Sequence, residues 1–332
     1  MHSNTVFLAD GTLGNTCDLT CGDKLLGIDG NPVGIYSVKY LSNVPIYKIS
    51  TKGSKPFYVC SSSKILLAKG NKTDVYFVSN FDKDATHKLK GMRNYKTLRN
   101  DGTEFNRTYS LPIDPYLFGY LLVNSTITFG SARITISRDV FKGEVEKFAN
   151  EHNMMLKKIN SANKNSNSYQ IIGAGKERRR NKLCELFEEL ELCDVRTPNR
   201  FIPDIYKYSS IEDRLQLLAG IFDSSAYKNK NGFQMLTSSK KLADDVVFIA
   251  KSVGLTGSRS PKPSIKNGKE YYNICIGGNR NIIPFKVEEK RENAKCNDLL
   301  ARTFEMEYIG EDDFVYLETS DKYLTEDFII IA

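Results

Sequence analysis

Two apolar segments of helical character, each with a small residue in its interior, constrain the fold of this chain more than any other feature. The first occupies residues 116–125 and contains Gly119, and the second occupies residues 217–227 and contains Ala219 and Gly220. Glycine inside a helix costs about 1 kcal/mol relative to alanine, so its presence there predicts close packing of each helix against another backbone.

The segments that follow the two helices repeat one order of elements. Residues 133–137 alternate as a strand and residues 140–155 have helical spacing. Residues 233–237 and 242–253 repeat this strand and this helix, and residues 271–276 add another strand. A repeat of this size predicts two similar α/β halves around a pseudo-twofold axis.

The chain on either side of this repeat is of β type. Over residues 1–111, short runs of β-branched and aromatic residues alternate with Gly, Asn and Asp, which is typical of short strands joined by turns. Two further strands are predicted at residues 313–317 and 327–332. The fold class is therefore predicted as mixed, with an α/β part and an all-β part.

Basic residues are concentrated in the first two of these three regions. The net charge is +6 over residues 1–111, +9 over residues 112–296 and −8 over residues 297–332. A basic surplus suits a partner that carries phosphates, because each contact of Lys or Arg with a phosphate releases counterions. Solubility alone is the other explanation, and charge by itself does not separate the two.

The remaining composition excludes several classes of protein. The seven cysteines include no CxxC pair, so reduced thiols are expected rather than a disulfide framework or a zinc site. No apolar run approaches the ~20 residues of a membrane helix, and the start of the chain has no apolar signal segment. We expect a soluble, intracellular protein that works in the nucleus if the host is eukaryotic and in the cytoplasm otherwise.

The two helical segments carry a resemblance to a known family. The sequence LLAGIFDSSAY at residues 217–227 is similar to the signature helix of LAGLIDADG (dodecapeptide, DOD-type) homing endonucleases, and DPYLFGYLLVNST at residues 114–126 is similar to its first copy. Three flanking segments resemble blocks of the Hint (hedgehog/intein) domain: residues 4–33, VCSSSKILLAKG at 59–70 and LTEDFIIIA at 324–332.

The resemblance implies a nested architecture, as in inteins and the yeast mating-type switching endonuclease. A pseudo-twofold LAGLIDADG domain of the αββαββα type would occupy residues 112–296 and bind duplex DNA as a monomer with internal pseudo-symmetry. It would be inserted in a β-rich Hint domain that comprises residues 1–111 and the closing strands at 297–332. Gly119, Ala219 and Gly220 would pack the two signature helices together.

In the family, each signature helix ends in an acid, and the two acids hold Mg²⁺ ions that activate water and stabilise the leaving oxygen of a DNA phosphodiester. Here Asn124 and Ser225 stand at those two positions. Asp223 matches a family aspartate that caps and packs the helix end. Amide and hydroxyl oxygens are weak, neutral ligands, so we expect Mg²⁺ binding to be weak or absent and DNA cleavage to be lost or strongly impaired.

This sequence also departs from the Hint family at positions that carry the splicing chemistry. Cys60 and Ser63 stand approximately where the family has the Thr and His that activate the first peptide bond. No His occurs within twenty residues of Cys60 to serve as its base, so a packed thiol is expected rather than a nucleophile. Protein splicing is expected to be lost or strongly impaired.

Basic and polar side chains of the α/β region are candidates for DNA contact. Arg133 and Thr135 share one face of a predicted strand, and a compact basic cluster occupies residues 176–182. The full candidate set is Arg133, Thr135, Arg138, Lys176, Arg178, Arg179, Arg180, Lys182, Lys240, Lys241, Lys262, Lys266 and Lys269.

Three functions stay open at this point. The first is a DNA-binding protein of homing-endonuclease descent without cleavage or splicing. The second is an active, Mg²⁺-dependent, site-specific endonuclease in which Asp223 and its neighbours rebuild a metal site. The third is a structural or protein-interaction remnant that no longer binds DNA. A salt-dependent DNA complex would separate the third from the other two.

Overall fold

A computed structural model describes residues 1–84, 95–105, 107–159, 167–173, 181–229, 232–263, 270–291 and 300–332. The chain forms two compact units. Unit 1 comprises Met1–Thr108, Lys251–Thr256 and Asn297–Ala332, and unit 2 comprises Tyr109–Ala250 and Gly257–Cys296. The assignment of these units to particular domain families, with the boundaries given above, stays a prediction. Within the described ranges, no helix has the length and apolar character needed to cross a membrane.

The secondary structure is mixed and rich in strands. The first eight strands are β1 (Thr5–Phe7), β2 (Leu13–Asn15), β3 (Lys24–Leu26), β4 (Pro32–Thr51), β5 (Phe57–Cys60), β6 (Lys64–Lys69), β7 (Lys72–Phe77) and β8 (Tyr95–Leu98). The next elements are α1 (Pro115–Asn124), β9 (Ser125–Thr128), β10 (Ser131–Thr135), α2 (Asp139–Glu151), β11 (Met154–Lys158), β12 (Ser168–Gly173), α3 (Lys182–Glu189) and α4 (Asp204–Lys207). They are followed by α5 (Ile211–Ser225), β13 (Tyr227–Asn229), β14 (Gly232–Thr237), α6 (Lys240–Ser252), β15 (Thr256–Pro263), β16 (Glu270–Gly277) and α7 (Glu288–Arg291). The last strands are β17 (Ala301–Arg302), β18 (Phe304–Thr319), β19 (Tyr323–Leu324) and β20 (Ile330–Ile331).

Unit 1 is built from antiparallel sheets that share an apolar core. One sheet has the order β17-β8-β6-β20-β19, with β7 also paired to β6, and another has the order β18-β4-β3, with β5 also paired to β4. The long strands β4 and β18 pair along most of their length, with shifts of register that accommodate bulges. Their inward residues, such as Ile49 and Val315, pack with Leu25 and Leu67 in one buried cluster.

Unit 2 contains two four-stranded antiparallel sheets with one topology. The first has the order β9-β10-β12-β11 and the second has the order β13-β14-β16-β15. In each half, therefore, the fourth strand along the chain lies between the second and the third. The order helix, two strands, helix, two strands also recurs from α1 to β12 and from α5 to β16. The repeat seen in the sequence is thus a repeat of three-dimensional topology.

Local sequence explains where the two repeated helices begin. The side chain of Asp114 accepts a hydrogen bond from the amide of Leu117 at the start of α1, and Pro115 fills the first turn. At the start of α5, the hydroxyl of Ser210 accepts from the amide of Asp213 at 3.1 Å. These capping groups satisfy amides that have no partner inside the helix.

The prediction of a helix over residues 140–155 was wrong at its C-terminal end. Helix α2 stops at Glu151, and residues 154 and 155 belong to β11. The reason is local, since Asn153 has a φ of 53° in the left-handed region, which asparagine tolerates and which breaks the helix. The predicted strand at 133–137 is also shifted, because β10 ends at Thr135.

Candidate functional site

Helices α1 and α5 meet at their two glycines. A methyl group added to Gly119 would overlap the carbonyl oxygen of Leu217, and one added to Gly220 would overlap the carbonyl oxygen of Tyr116. The contacts are reciprocal, because Leu217 and Tyr116 each lie three residues before the glycine of their own helix. Ala219, the neighbour of Gly220 in α5, is fully buried. The two helices therefore pack backbone to backbone, with the symmetry that the repeat predicts.

The C-terminal ends of α1 and α5 carry neutral side chains that bond to their own helices. The Asn124 amide donates from Nδ2 to the carbonyl of Tyr120 at 3.1 Å. The Ser225 hydroxyl donates to the carbonyl of Ile221 at 2.6 Å. Asn124 and Ser225 are equivalent, each five residues after the glycine of its helix, and each bonds four residues back. Both side chains thereby cap a helix carbonyl.

Asp223 is the carboxylate closest to these positions along α5, and it is buried. Its Oδ2 accepts hydrogen bonds from the Tyr116 hydroxyl at 2.9 Å and from the backbone amides of Lys286 at 2.7 Å and Val287 at 3.2 Å. Its Oδ1 is buried without a hydrogen-bond partner among the described residues. The carboxylate therefore ties α1 and the segment before α7 to the end of α5.

Burial dominates the electrostatics around Asp223. Loss of solvent raises the pKa of Asp223, and the hydrogen bonds from Lys286, Tyr116 and Val287 offset part of that rise. Burial also raises the pKa of the Tyr116 phenol, so this group stays a hydrogen-bond donor. The pKa of Lys290 falls to about 8, again because of burial, although the attraction of Asp223 opposes the fall.

Two basic side chains reach the carbonyls at these helix ends. The Arg200 guanidinium donates to the carbonyls of Leu122, at 2.6 Å, and Ser125, at the end of α1. The Lys290 ammonium donates to the carbonyl of Asp223 at 2.8 Å and to that of Phe222, at the end of α5. Since the C-terminal end of a helix carries a partial negative charge, both contacts are electrostatically favourable.

A divalent cation does not fit these helix ends. Mg²⁺ dehydrates reluctantly and is normally held by carboxylates, whereas Asn124 and Ser225 offer neutral oxygens. The buried Asp223 carboxylate is held through its Oδ2 by Tyr116 and two backbone amides, and a positively charged side chain already lies at each helix end. No step of a metal-assisted reaction can be assigned to these residues.

The exposed face of the first sheet presents a row of polar side chains. Arg133 of β10 pairs with Thr126 of β9 on one side and with Gln170 of β12 on the other, and Gln170 pairs with Lys157 of β11. The row therefore crosses all four strands at one level. Thr126, Arg133 and Lys157 are exposed. We call Thr126, Arg133, Gln170 and Lys157 the polar row.

At the equivalent level of the second sheet, the paired residues described on β13, β14 and β16 are uncharged. Gln234 of β14 pairs with Tyr227 of β13 and with Cys275 of β16, and its Nε2 donates to the Cys275 sulfur at 3.2 Å. Leu236, which lies two residues further along β14, pairs with Asn273. The two halves share a topology and differ in the chemistry of their exposed faces.

The other predicted DNA contacts are dispersed over unit 2. Thr135 is exposed at the end of β10, and Lys240 and Lys262 are exposed on α6 and β15. Arg138 precedes α2, and its Nη1 donates to both carboxylate oxygens of Glu289 at 2.9 Å, so this exposed guanidinium is already paired within the chain. Lys241 pairs with Asp245 at 2.5 Å and Lys182 with Glu185 at 3.6 Å. Lys176, Arg178, Arg179, Arg180, Lys266 and Lys269 lie outside the described residues.

Cys60 and Ser63 lie together in unit 1. Cys60 is fully buried, and its sulfur lies 3.1 Å from the hydroxyl of Ser62 and 3.3 Å from that of Ser63. The Ser63 hydroxyl also accepts from the Cys60 amide at 3.0 Å. The side chains thus stabilise the turn between β5 and β6.

Comparison with known proteins finds a family match within the second half of the chain. Residues 202–283 match the homing endonuclease family. The match includes α5, its Gly220 and the second sheet. It confirms the resemblance that the sequence LLAGIFDSSAY indicates.

Solved structures of two kinds are similar to this chain. I-DmoI in complex with DNA and Mn is 14% identical over 49% of this chain and 89% of that chain, with a TM-score of 0.34. I-DmoI in complex with DNA and Ca is 13% identical over 51% of this chain and 84% of that chain, with a TM-score of 0.35. The MchDnaB-1 intein is 15% identical over 26% of this chain and 62% of that chain, with a TM-score of 0.20.

Sequence reasoning missed five residues of this site. Arg200 and Lys290 contact helix carbonyls far away in sequence, and no local pattern marks either of them. Thr126, Gln170 and Lys157 belong to the polar row, and the alternation of their strands was the available signal. The register across the sheet, which brings them beside Arg133, is visible only in the folded chain.

Proposed function

We propose that this chain is a DNA-binding protein of intein and homing-endonuclease descent that recognises a long duplex site, with DNA cleavage and protein splicing lost or strongly impaired. Unit 2 would bind the DNA as a monomer with internal pseudo-symmetry. In this proposal unit 2 is a LAGLIDADG domain inserted in a Hint domain. The match of residues 202–283 to homing endonucleases supports this descent.

The polar row is the observation that carries the DNA-binding proposal. An exposed antiparallel sheet fits the major groove of B-DNA, where base edges present distinct donors and acceptors. Arg133 suits the two acceptors of guanine, Gln170 suits adenine, and the methyl group of Thr126 suits thymine. Lys157 supplies a positive charge at the edge of the row for a phosphate. The basic surplus of residues 112–296 supports the same partner.

The loss of cleavage is proposed from the ends of α1 and α5. Two-metal hydrolysis of a phosphodiester needs carboxylates that clamp the attacking and leaving oxygens. Asn124 and Ser225 supply neither a negative charge nor a bidentate ligand. Cys60 and Ser63 support the same conclusion for splicing, because they bond to one another and to Ser62 in the β5–β6 turn and supply no imidazole to activate a peptide bond.

Selection from a pool of randomised DNA duplexes tests the proposal. The full chain is incubated with the pool in Mg²⁺, in Mn²⁺ and in EDTA, and both retained and cleaved molecules are sequenced. We expect enrichment of one long sequence, uncut in all three conditions. Cleavage of the enriched sequence in Mg²⁺ or Mn²⁺ would show an active endonuclease, and Asp223 would then be the next residue to replace.

The salt dependence of binding separates DNA recognition from a protein-interaction remnant. Affinity for the enriched duplex should fall steeply and linearly on a log–log plot as the salt concentration rises, because counterions are released on binding. If the chain retains no duplex at low salt, the DNA-binding proposal is wrong and the remnant hypothesis stands.

A further inference from the structure

Arg200 and Lys290 make equivalent contacts in the two halves of unit 2. Arg200 donates to the carbonyl of Leu122, and Lys290 donates to the carbonyl of Asp223. Leu122 and Asp223 are equivalent positions, because each lies three residues after the glycine of its helix. In the last turn of each helix, therefore, a cationic side chain binds the carbonyl of the residue three positions after the glycine.

The two basic residues come from different kinds of element. Arg200 follows the short 3-10 helix Thr197–Asn199, and its own carbonyl accepts from the Ser239 hydroxyl at 2.5 Å. Lys290 lies in α7, which follows the second sheet. Arg200 and Lys290 differ in residue type and in local structure. The feature that they share is the positive charge that each places at a helix end.

The partial negative charge at each helix end is balanced without a metal ion. The last-turn carbonyls that have no partner inside the helix amount to roughly half a negative charge, and Asn124 and Ser225 add none. One ammonium or guanidinium therefore more than balances each end. A second cation placed beside the same carbonyls would meet like-charge repulsion in a partly buried site.

We propose that Arg200 and Lys290 are built-in counterions that take the place of divalent cations at the ends of α1 and α5. They stabilise the helix pair through its carbonyls, and they exclude Mg²⁺ and Mn²⁺ even when a carboxylate is restored nearby. This role of Arg200 and Lys290 concerns the protein alone and does not depend on DNA binding.

Lys286 provides a matched control within the same cluster. Its ammonium lies 2.5 Å from Glu144 and 4.2 Å from the centre of the Tyr116 ring. It is a half-buried lysine four residues before Lys290, and its ammonium contacts the side chains of Glu144 and Tyr116 instead of the carbonyls of α5. Replacing Lys286 changes the local charge by the same amount as replacing Lys290 and leaves the helix end covered.

The test measures Mn²⁺ binding by isothermal titration calorimetry in three variants of the full chain. Ser225→Asp restores the acid alone, and the other two variants add Lys290→Met or Lys286→Met to it. We expect the Lys290→Met addition to tighten Mn²⁺ binding by about tenfold or more, and the Lys286→Met addition to have a much smaller effect. Equal affinities in all three variants, or equal gains from both lysine replacements, would overturn the proposal.

The first half of unit 2 gives an independent version of this test. Asn124→Asp is compared with the same variant carrying Arg200→Met, and Mn²⁺ should again bind more tightly when the guanidinium is removed.

Thermal unfolding of the unmodified chain is a further test that needs no variant. Its midpoint should be the same in Mg²⁺ and in EDTA at equal ionic strength, and a rise in Mg²⁺ would contradict the proposal.

Lys290→Arg distinguishes a charge effect from a packing effect. With Ser225→Asp in the background, the arginine should keep Mn²⁺ out as the lysine does, whereas methionine should not. Circular dichroism confirms that each variant is folded before titration. If arginine and methionine admit Mn²⁺ equally, the side chain acts by its shape and the counterion proposal is wrong.

Discussion

The hydroxyl of Tyr116 donates a 2.9 Å hydrogen bond to the carboxylate of Asp223, joining the first turn of α1 to the last turn of α5. Both residues are nearly inaccessible to solvent, with exposed fractions of 1% and 3%. A carboxylate placed there is costly unless donors surround it. Tyr116 thus provides the side-chain donor that makes this buried charge tolerable.

Removal of that donor should destabilise unit 2. We expect Tyr116→Phe to lower the free energy of unfolding by about 1.5–3 kcal/mol, since a hydrogen bond to a buried charged group is lost. Denaturant unfolding measures the change. Tyr227→Phe is the control, because Tyr227 is exposed on β13 and its replacement should change stability by less than about 0.5 kcal/mol.

The raised pKa of Asp223 predicts a dependence of stability on pH. The folded chain holds the proton of Asp223 more tightly than the unfolded chain does, so stability should fall as pH rises from the ordinary value of 3.8 through the raised pKa. Asp223→Asn cannot titrate and should lack this contribution. Unfolding free energies of both proteins across the acidic range test it, and identical slopes would contradict the prediction.

The glycines at the helix crossing should tolerate no side chain. Gly220→Ala places a methyl group against the carbonyl of Tyr116, and we expect a loss of about 3 kcal/mol or more because backbone must move. Gly143→Ala is the matched control, since this helical glycine of α2 has open space around it. That replacement should stabilise the chain by about 0.5–1 kcal/mol. Similar effects at both positions would contradict the packing described here.

Lys157 and Lys147 form a matched pair for DNA binding. Lys157 belongs to the polar row of the first sheet, whereas Lys147 is exposed on α2. Lys157→Ala should weaken binding to all duplexes and reduce the slope of log affinity against log salt by about 1. Lys147→Ala should leave the slope unchanged.

Gln170→Ala should relax base preference at one position, by about 1–3 kcal/mol.

Unit 1 contains a buried ion pair with a surface counterpart. Lys251 and Asp327 lie 2.6 Å apart with little exposure, whereas Lys39 and Glu318 form a pair of the same length at the surface. Lys251→Met leaves a buried carboxylate without its partner and should cost about 3–5 kcal/mol. Lys39→Met should cost less than about 1 kcal/mol. Thermal unfolding of the two variants measures the difference.

Periodicity and small residues were sufficient to predict the four long helices of the repeat and three of the eight strands in its two sheets. Helices α1 and α5 follow from apolar runs, and the packing role of Gly119 and Gly220 follows from the cost of glycine in a helix. The end of α2 was predicted wrongly because the left-handed backbone of Asn153 has no unambiguous signal in composition. The DNA contacts and domain boundaries remain predictions.

The repeat, the helix crossing and the neutral residues at positions 124 and 225 are visible in the amino-acid sequence, because they depend on local propensity and on the order of residues along one segment. The groups that surround those two positions become visible in the folded chain alone. Arg200 lies 78 residues beyond Leu122, and Lys290 lies 67 residues beyond Asp223, yet each donates to the carbonyl of that residue in the last turn of a helix. Helix-end carbonyls carry a partial negative charge and attract any cation that lies beside them. The fold, and not proximity in sequence, determines which basic residue lies there.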